Sequence, residues 1–153
     1  MDSETLRRYL EKTFRTKIPI TLAMGIRVLH YDGTNLVLGA PLGPNVNDKG
    51  TAFGGSLFSL LVLAGWGLIH LKLKEEEIPG DIMIHESSIS YALPVPDHWE
   101  AHCQFPEAPG YAHFLEQLRA KGRARLALEA QIMVGSQVAV SFRGSYAIVG
   151  KQF

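Results

Sequence analysis

Two periods of apolar residues organise the chain. In SETLRRYLEKTFRTK, the residues Leu6, Tyr9, Leu10 and Phe14 recur at helical spacing, which predicts a surface helix within residues 1–18 with Ser3 as its N-cap. Apolar runs flank Asp32-Gly33 in GIRVLHYDGTNLVLGAPL and predict a hairpin, because Asp-Gly accepts the positive φ angles of a tight turn. Residues 55–74 are apolar on all sides and predict a long buried helix, stopped by Pro79-Gly80 and with lysines near its end. IMIHESSISYAL (82–93) and HWEAHCQF (98–105) then read as strands, and GYAHFLEQLRAKG as a short helix.

The strictest alternation comes last. In RARLALEAQIMV, Ala124, Leu126, Leu128, Ala130, Ile132 and Val134 alternate with Arg123, Arg125, Glu129 and Gln131. In QVAVSFRGSYAIV, Val138, Val140, Phe142, Tyr146 and Ile148 form the matching inner row, and Gly135-Ser136 turns one strand into the other. A helix that is apolar all round must be covered on most sides. A curved antiparallel sheet of about six strands wrapped around it does this. The expectation is a single α+β domain over residues 1–153, without linker or internal repeat.

Composition narrows the function. Lys and Arg number 15 and Asp and Glu 15, so the formal charge is zero and nucleic acid is not the expected partner. The one cysteine, Cys103, alternates with Trp99 and Ala101 and reads as a small core residue. The charged, amphipathic start does not read as a signal peptide. Residues 56–71 fall short of the roughly 20 apolar residues of a membrane span and contain glycines. The expected setting is the cytoplasm, away from membranes.

The chemistry concentrates in PNVNDKGTAFGGSLFSLL, a polar loop that opens the central helix with Gly54-Gly55. This motif resembles that of hot-dog fold thioesterases, and the element order matches over nearly the whole chain. Two positions depart from that pattern. Phe53 stands where such enzymes commonly carry His, and Val62 stands where they carry Asp or Glu two turns into the helix. Within the group, the chain most resembles the YiiD C-terminal-type domain, found at the C-terminus of some bacterial acetyltransferase-like proteins and also alone. That subfamily is associated with malonyl-acyl-carrier-protein decarboxylation. The resemblance implies conversion of malonyl- to acetyl-acyl carrier protein as a primer for fatty-acid synthesis, and no cofactor beyond the phosphopantetheine of the carrier or of coenzyme A. It also implies at least a homodimer with sites at its interface. The alternatives are a thioesterase acting on acyl-CoA or acyl carrier protein, and a non-catalytic acyl-thioester-binding module.

Decarboxylation leaves an enolate on the thioester oxygen, so it needs neutral donors and neither a nucleophile nor a carboxylate. Backbone N–H groups at a helix start supply donors, and Gly54 and Gly55 allow close approach. Asn45 is the side chain expected to donate to the thioester oxygen or orient the malonyl carboxylate; it equally suits a turn after Pro44. Thr51 either donates a hydroxyl or holds the loop, and Asn47 shapes it around Lys49-Gly50. Phe53 and Ser56 join Asn47 as substrate contacts, and by the resemblance Ser87 or Ser88 borders the pantetheine. Asp48 reads as a solvated turn acid, although it or Glu86 is the candidate base for hydrolysis. His70 reads as a satisfied core or interface histidine, and the histidines have no metal-like spacing. The basic residues Arg7, Arg8, Lys12 and Arg15, and Arg119, Lys121, Arg123 and Arg125, form two clusters able to meet an acidic carrier or phosphates.

Overall fold

The structure, a computed structural model, describes residues 1–150. In chain order it contains α1 (Ser3–Lys17), α2 (Ile20–Met24), β1 (Arg27–Tyr31), β2 (Asn35–Ala40), a 3-10 turn (Gly43–Asn45), α3 (Gly54–Glu75), β3 (Gly80–Tyr91), β4 (Trp99–Gln104), α4 (Ala108–Lys121), β5 (Arg123–Val134) and β6 (Gln137–Gly150). The strands form one six-stranded sheet in the order β1-β2-β4-β5-β6-β3, and every neighbouring pair is antiparallel. The sheet curves around α3, which packs against β2, β3, β4, β5 and β6. Leu60, Leu61, Ala64, Leu68, Ile69 and Leu71 of α3 are fully buried there. α3 has the length and hydropathy of a membrane span, and the sheet covers the apolar surface that gives it that character.

The predicted elements stand, with local corrections. The N-cap of α1 is Asp2 rather than Ser3: its carboxylate accepts from the Thr5 N–H at 2.7 Å, and an acid there also complements the helix dipole. Glu11 is buried on the inner side of α1 and accepts from the Val28 N–H at 3.0 Å and from Arg27 at 3.1 Å. That bond ties α1 across β1. The short α2 was not anticipated; Pro19 and Gly25, the latter at φ 71°, bracket it.

Two bulges alter the alternation. A register shift at Ile132/Met133 turns Val138 out to solvent and puts Ala139 in the interior, so Val138 does not belong to the inner row. A second shift at Ile84/Glu86 takes His85 out of the row it would share with Ser87, Ile89 and Tyr91, and its Nε2 lies 2.9 Å from Ser145 Oγ. Cys103 is buried, and desolvation pushes its thiol up to about 12, as suits an inert core residue.

His70 differs from its sequence reading. It is stacked between Trp66 (4.6 Å between centroids) and Tyr9 (5.6 Å), but its Nε2 is buried without a hydrogen-bond partner. Burial, and secondarily the charge of Lys74, hold its pKa below the usual value. The folded state therefore binds fewer protons than the unfolded chain just below pH 6.5. This contribution to stability is complete above that pH and is lost as pH falls through the folded pKa. Urea unfolding at pH 7.5 and 5.5 is expected to show a loss on acidification that His70→Phe reduces, since phenylalanine keeps the stack without a proton to gain.

Candidate active site

The loop between β2 and α3 closes on itself before the helix begins. Val46 and Ala52 form a bridge, the Asn47 N–H donates to the Thr51 carbonyl at 2.7 Å, and the Phe53 N–H donates to the Asn45 carbonyl at 2.7 Å. Gly50 takes φ 80° at the tip, a conformation that costs glycine nothing. The Ala52 N–H donates to the Val95 carbonyl at 2.8 Å, anchoring the loop to the segment between β3 and β4. This scaffold delivers α3 at a fixed angle.

The start of α3 has no side-chain cap. Its N-cap is Phe53, whose side chain cannot accept a hydrogen bond, and the first intrahelical amide to find a partner is that of Leu57. Among the described residues, the N–H groups of Gly54, Gly55 and Ser56 have no acceptor. Three aligned donors and the positive end of a 22-residue helix dipole thus point at one place. Helix starts ordinarily carry Ser, Thr, Asp or Asn to satisfy such donors. Here they are left for something else.

The surroundings are apolar and open. The Phe53 ring folds over Gly55, where a Cβ would come within 2.5 Å of the ring, so glycine is required for that arrangement. Tyr91, at the end of β3, donates through its hydroxyl to the Gly54 carbonyl at 3.0 Å. Phe53 is 56% and Tyr91 51% exposed, so the site lies on the surface beside the β3 edge. Sequence reasoning did not single out Tyr91, whose contact with α3 only the fold creates.

The other expected site residues separate. Asn45 is 3% exposed, and its amide donates to the carbonyls of Met24 and Pro41, both at 2.8 Å. Two carbonyl partners fix which atom is nitrogen, and both amide hydrogens are engaged. The donor role expected of Asn45 is corrected accordingly: the residue locks α2 and the end of β2 to the loop, and so positions the helix start. Asn47 likewise works within the loop, accepting from Lys49 and Thr51 N–H groups at 2.8 and 3.1 Å and donating to Thr51 Oγ1 at 2.9 Å. It shapes the loop and does not offer a free group to substrate. Thr51 receives that bond and keeps its own hydroxyl hydrogen for a further acceptor.

Ser87 and Ser88 point to opposite faces. Ser87 opposes Gly144 in the row of Ile89 and Tyr91, towards α3, whereas Ser88 opposes Arg143 on the outer face. Only Ser87 shares the side of the helix start. Neither candidate hydrolytic base is brought there. Asp48 is exposed and lies 3.3 Å from Lys49, and Glu86 opposes Ser145 on the outer face. Val62 packs against the core, and its carbonyl accepts from the Tyr146 hydroxyl at 2.7 Å. Among the described residues, no three His, Cys, Asp or Glu gather as metal ligands.

A long helix inside a curved antiparallel sheet, with its bare N-terminus presented by a polar loop, defines a hot-dog domain of the thioesterase-like class. The family model described as "Putative thioesterase (yiiD_Cterm)" matches residues 7–150, and the chain belongs to that family. Solved structures agree. A Chlorobaculum tepidum TLS protein of unknown function is 37% identical over 97% of both chains, with a TM-score of 0.92. A Shewanella oneidensis protein described as a "putative thioesterase" is 29% identical over 95% of this chain and 99% of its own, with a TM-score of 0.87. A Haemophilus influenzae thioesterase shares the fold at 13% identity, covering 98% and 92% of the two chains with a TM-score of 0.72.

Proposed function

We propose that the protein decarboxylates malonyl-acyl carrier protein to acetyl-acyl carrier protein. The observation that carries this reading is the uncapped start of α3, three free N–H donors without a carboxylate beside them. In the reaction, the bond between the malonyl methylene and its carboxylate breaks and carbon dioxide leaves. The electron pair passes into the thioester and rests as an enolate on its oxygen. The N–H groups of Gly54 and Gly55 stabilise that oxyanion, and Thr51 Oγ1 donates to substrate oxygen. The methylene carbon then takes a proton from water, giving the acetyl thioester. A preorganised donor at such an oxygen contributes about 3 to 4 kcal/mol in the transition state.

Val62 supports the same reading. A carboxylate at that position would repel the substrate's own carboxylate, while its absence removes the group that would activate water for hydrolysis. The apolar walls of Phe53 and Tyr91, with Ser56 and Ser87 at their edge, suit an uncharged pantetheine arm. Asn45 and Asn47 act as positioning residues behind them.

The site is completed by a second copy. β3 is a 12-residue edge strand without proline or lysine, and it pairs only with β6. From Glu86 to Tyr91, beyond its bulge, this edge is continuous and carries a single charge, and such an edge invites another strand. The opposite edge, β1, has only five residues and is packed by α1. Antiparallel pairing of two β3 strands makes a homodimer by a two-fold axis and brings a partner surface against Phe53 and Tyr91.

A second reading, thioester hydrolysis, is favoured by the description of the family. One experiment separates the readings: incubation with malonyl-acyl carrier protein followed by intact-mass spectrometry. Acetyl-carrier is the expected product. Free holo-carrier would replace decarboxylation with hydrolysis, and unchanged malonyl-carrier would favour a binding module.

A further inference from the structure

The two basic clusters of the sequence have different fates in the fold. On α1, Arg7 and Arg8 pair with Glu4 at 2.7 and 2.9 Å, and Arg15 pairs with Glu11 at 2.7 Å. Arg119 pairs with Glu76 at 2.8 Å. Lys121, Arg123 and Arg125 make no ion pair among the described residues. They line one side of a groove of about 520 Å³ between the end of α4 and the outer face of the sheet, with Gln117, Ala147 and Val149.

The groove continues sideways over the sheet. Arg123 lies beside Val149 and Arg125 beside Ala147, and Met83 extends the second row on β3. Met83 and Val149 are both exposed large apolar residues. Asp81 closes the first row on β3, at the far side from the three cations. An apolar strip edged by unpaired cations on one side fits an amphipathic helix with an acidic face. Exposed charges outside any ion pair among the described residues also steer an acidic partner in solution.

Distance decides which site this surface serves. Tyr91, which touches Gly54, lies opposite Val140, and Val140 lies opposite Ile132. Arg125 and Arg123 are therefore roughly 23 to 30 Å from the same chain's helix start along β5, at about 3.3 Å per residue. In a dimer paired antiparallel through β3, with the two strand middles aligned, the beginning of the partner's β3 lies beside Tyr91. Measured along the sheet, the partner's groove is then only three strand spacings away, roughly 14 Å at about 4.8 Å each, on the outer face and at the same strand ends, around which the carrier's arm reaches the inner face.

We propose that this groove docks an acidic acyl carrier protein and that the carrier docked on one protomer delivers its thioester to the helix start of the other. The inference rests on the carrier-thioester reading above and adds the docking surface and the direction of delivery. Coenzyme A phosphates are the competing anionic occupant, and the test includes them.

The experiment compares the wild-type dimer with the triple variant Lys121→Glu, Arg123→Glu, Arg125→Glu. Fluorescence anisotropy of labelled holo-acyl carrier protein measures docking independently of turnover. The triple variant is expected to bind at least 10-fold more weakly, with the wild-type affinity falling steeply with salt, whereas Arg8→Glu and Lys12→Glu change little. Its KM for malonyl-carrier should rise with kcat preserved, and turnover of malonyl-pantetheine, which has no carrier, should be unchanged. A triple variant that binds the carrier normally overturns the docking surface. So does one impaired only with malonyl-coenzyme A. Failure of the wild type to decarboxylate malonyl-pantetheine counts against the proposed function instead, while carrier binding still decides the surface. Mixed dimers test direction: at carrier concentrations well below KM, pairing the triple variant with Gly54→Pro should retain about half the wild-type kcat/KM, because the intact groove and the intact site then face each other. Loss of that turnover, with both parent variants folded, overturns delivery across the dimer.

Discussion

Gly54→Pro is expected to lower kcat for malonyl-thioester decarboxylation by roughly 10²- to 10³-fold, the usual effect of losing one oxyanion donor. Proline removes the Gly54 N–H and little else. Gly54 is the first residue of α3, where proline is well accepted because that amide has no intrahelical partner. The preceding residue, Phe53, has φ −63° and ψ 133°, the extended conformation that proline requires before it. A Cβ at position 54 would meet the Tyr91 ring at 3.6 Å, an ordinary contact. Circular dichroism and melting should therefore report an intact fold. Gly54→Ala supplies the control: it adds the same Cβ and keeps the N–H, so its kcat should remain close to wild type. Steady-state assays of both variants decide the matter, and a proline variant with full kcat would remove Gly54 from the oxyanion site.

That prediction concerns a main-chain atom, and this is why the site was only partly legible in the sequence. The glycine pair and the polar loop were visible because glycine before an apolar run has few other uses. The side chain that looked most chemical, Asn45, proved to be structural. Its partners are the carbonyls of Met24 and Pro41, atoms that every residue possesses and no composition marks. Met24 lies in α2, a five-residue helix too short to leave a period. Tyr91 is similar: it lies within a predicted strand, whereas its contact with Gly54 depends on how far β3 extends along α3. The scaffold was plainer. β5 and β6 run in the predicted register up to Val138, where a bulge that no residue type announces exchanges it for Ala139. The predicted helix over 55–74 is α3 with one further residue at each end. The elements follow from repetition along the chain, but the site depends on single contacts between distant segments.

The largest structural effect is expected from Gly65→Ala. In an isolated helix this change stabilises by up to about 1 kcal/mol, because alanine is the better helix former. Here its sign should reverse. A Cβ at position 65 would lie 2.6 Å from Tyr146 Cζ and 2.7 Å from Cε2, and closer still to the hydroxyl oxygen. The ring has nowhere to go. Tyr146 is fully buried on β6, between Leu126 of β5 and Ile84 of β3, and its hydroxyl is bonded to the Val62 carbonyl of α3. Overpacking of a rigid site costs about 1 to 3 kcal/mol and at times more, which outweighs the propensity gain. A net loss of about 2 kcal/mol should appear as a fall in Tm of roughly 4 to 8 °C for a chain of this size. Tyr146→Phe in the same background removes the hydroxyl clash and leaves the Cζ clash, so it should restore only part of the loss. The consequence reaches the site as well. The Tyr146 bond and the close approach at Gly65 fix how α3 is turned within the sheet, and hence where its free N–H groups point. Gly65→Ala should therefore lower kcat under conditions where the protein remains folded, and scanning calorimetry with parallel assays would measure both effects. An alanine variant as stable and active as wild type would mean that the helix is not held by Tyr146.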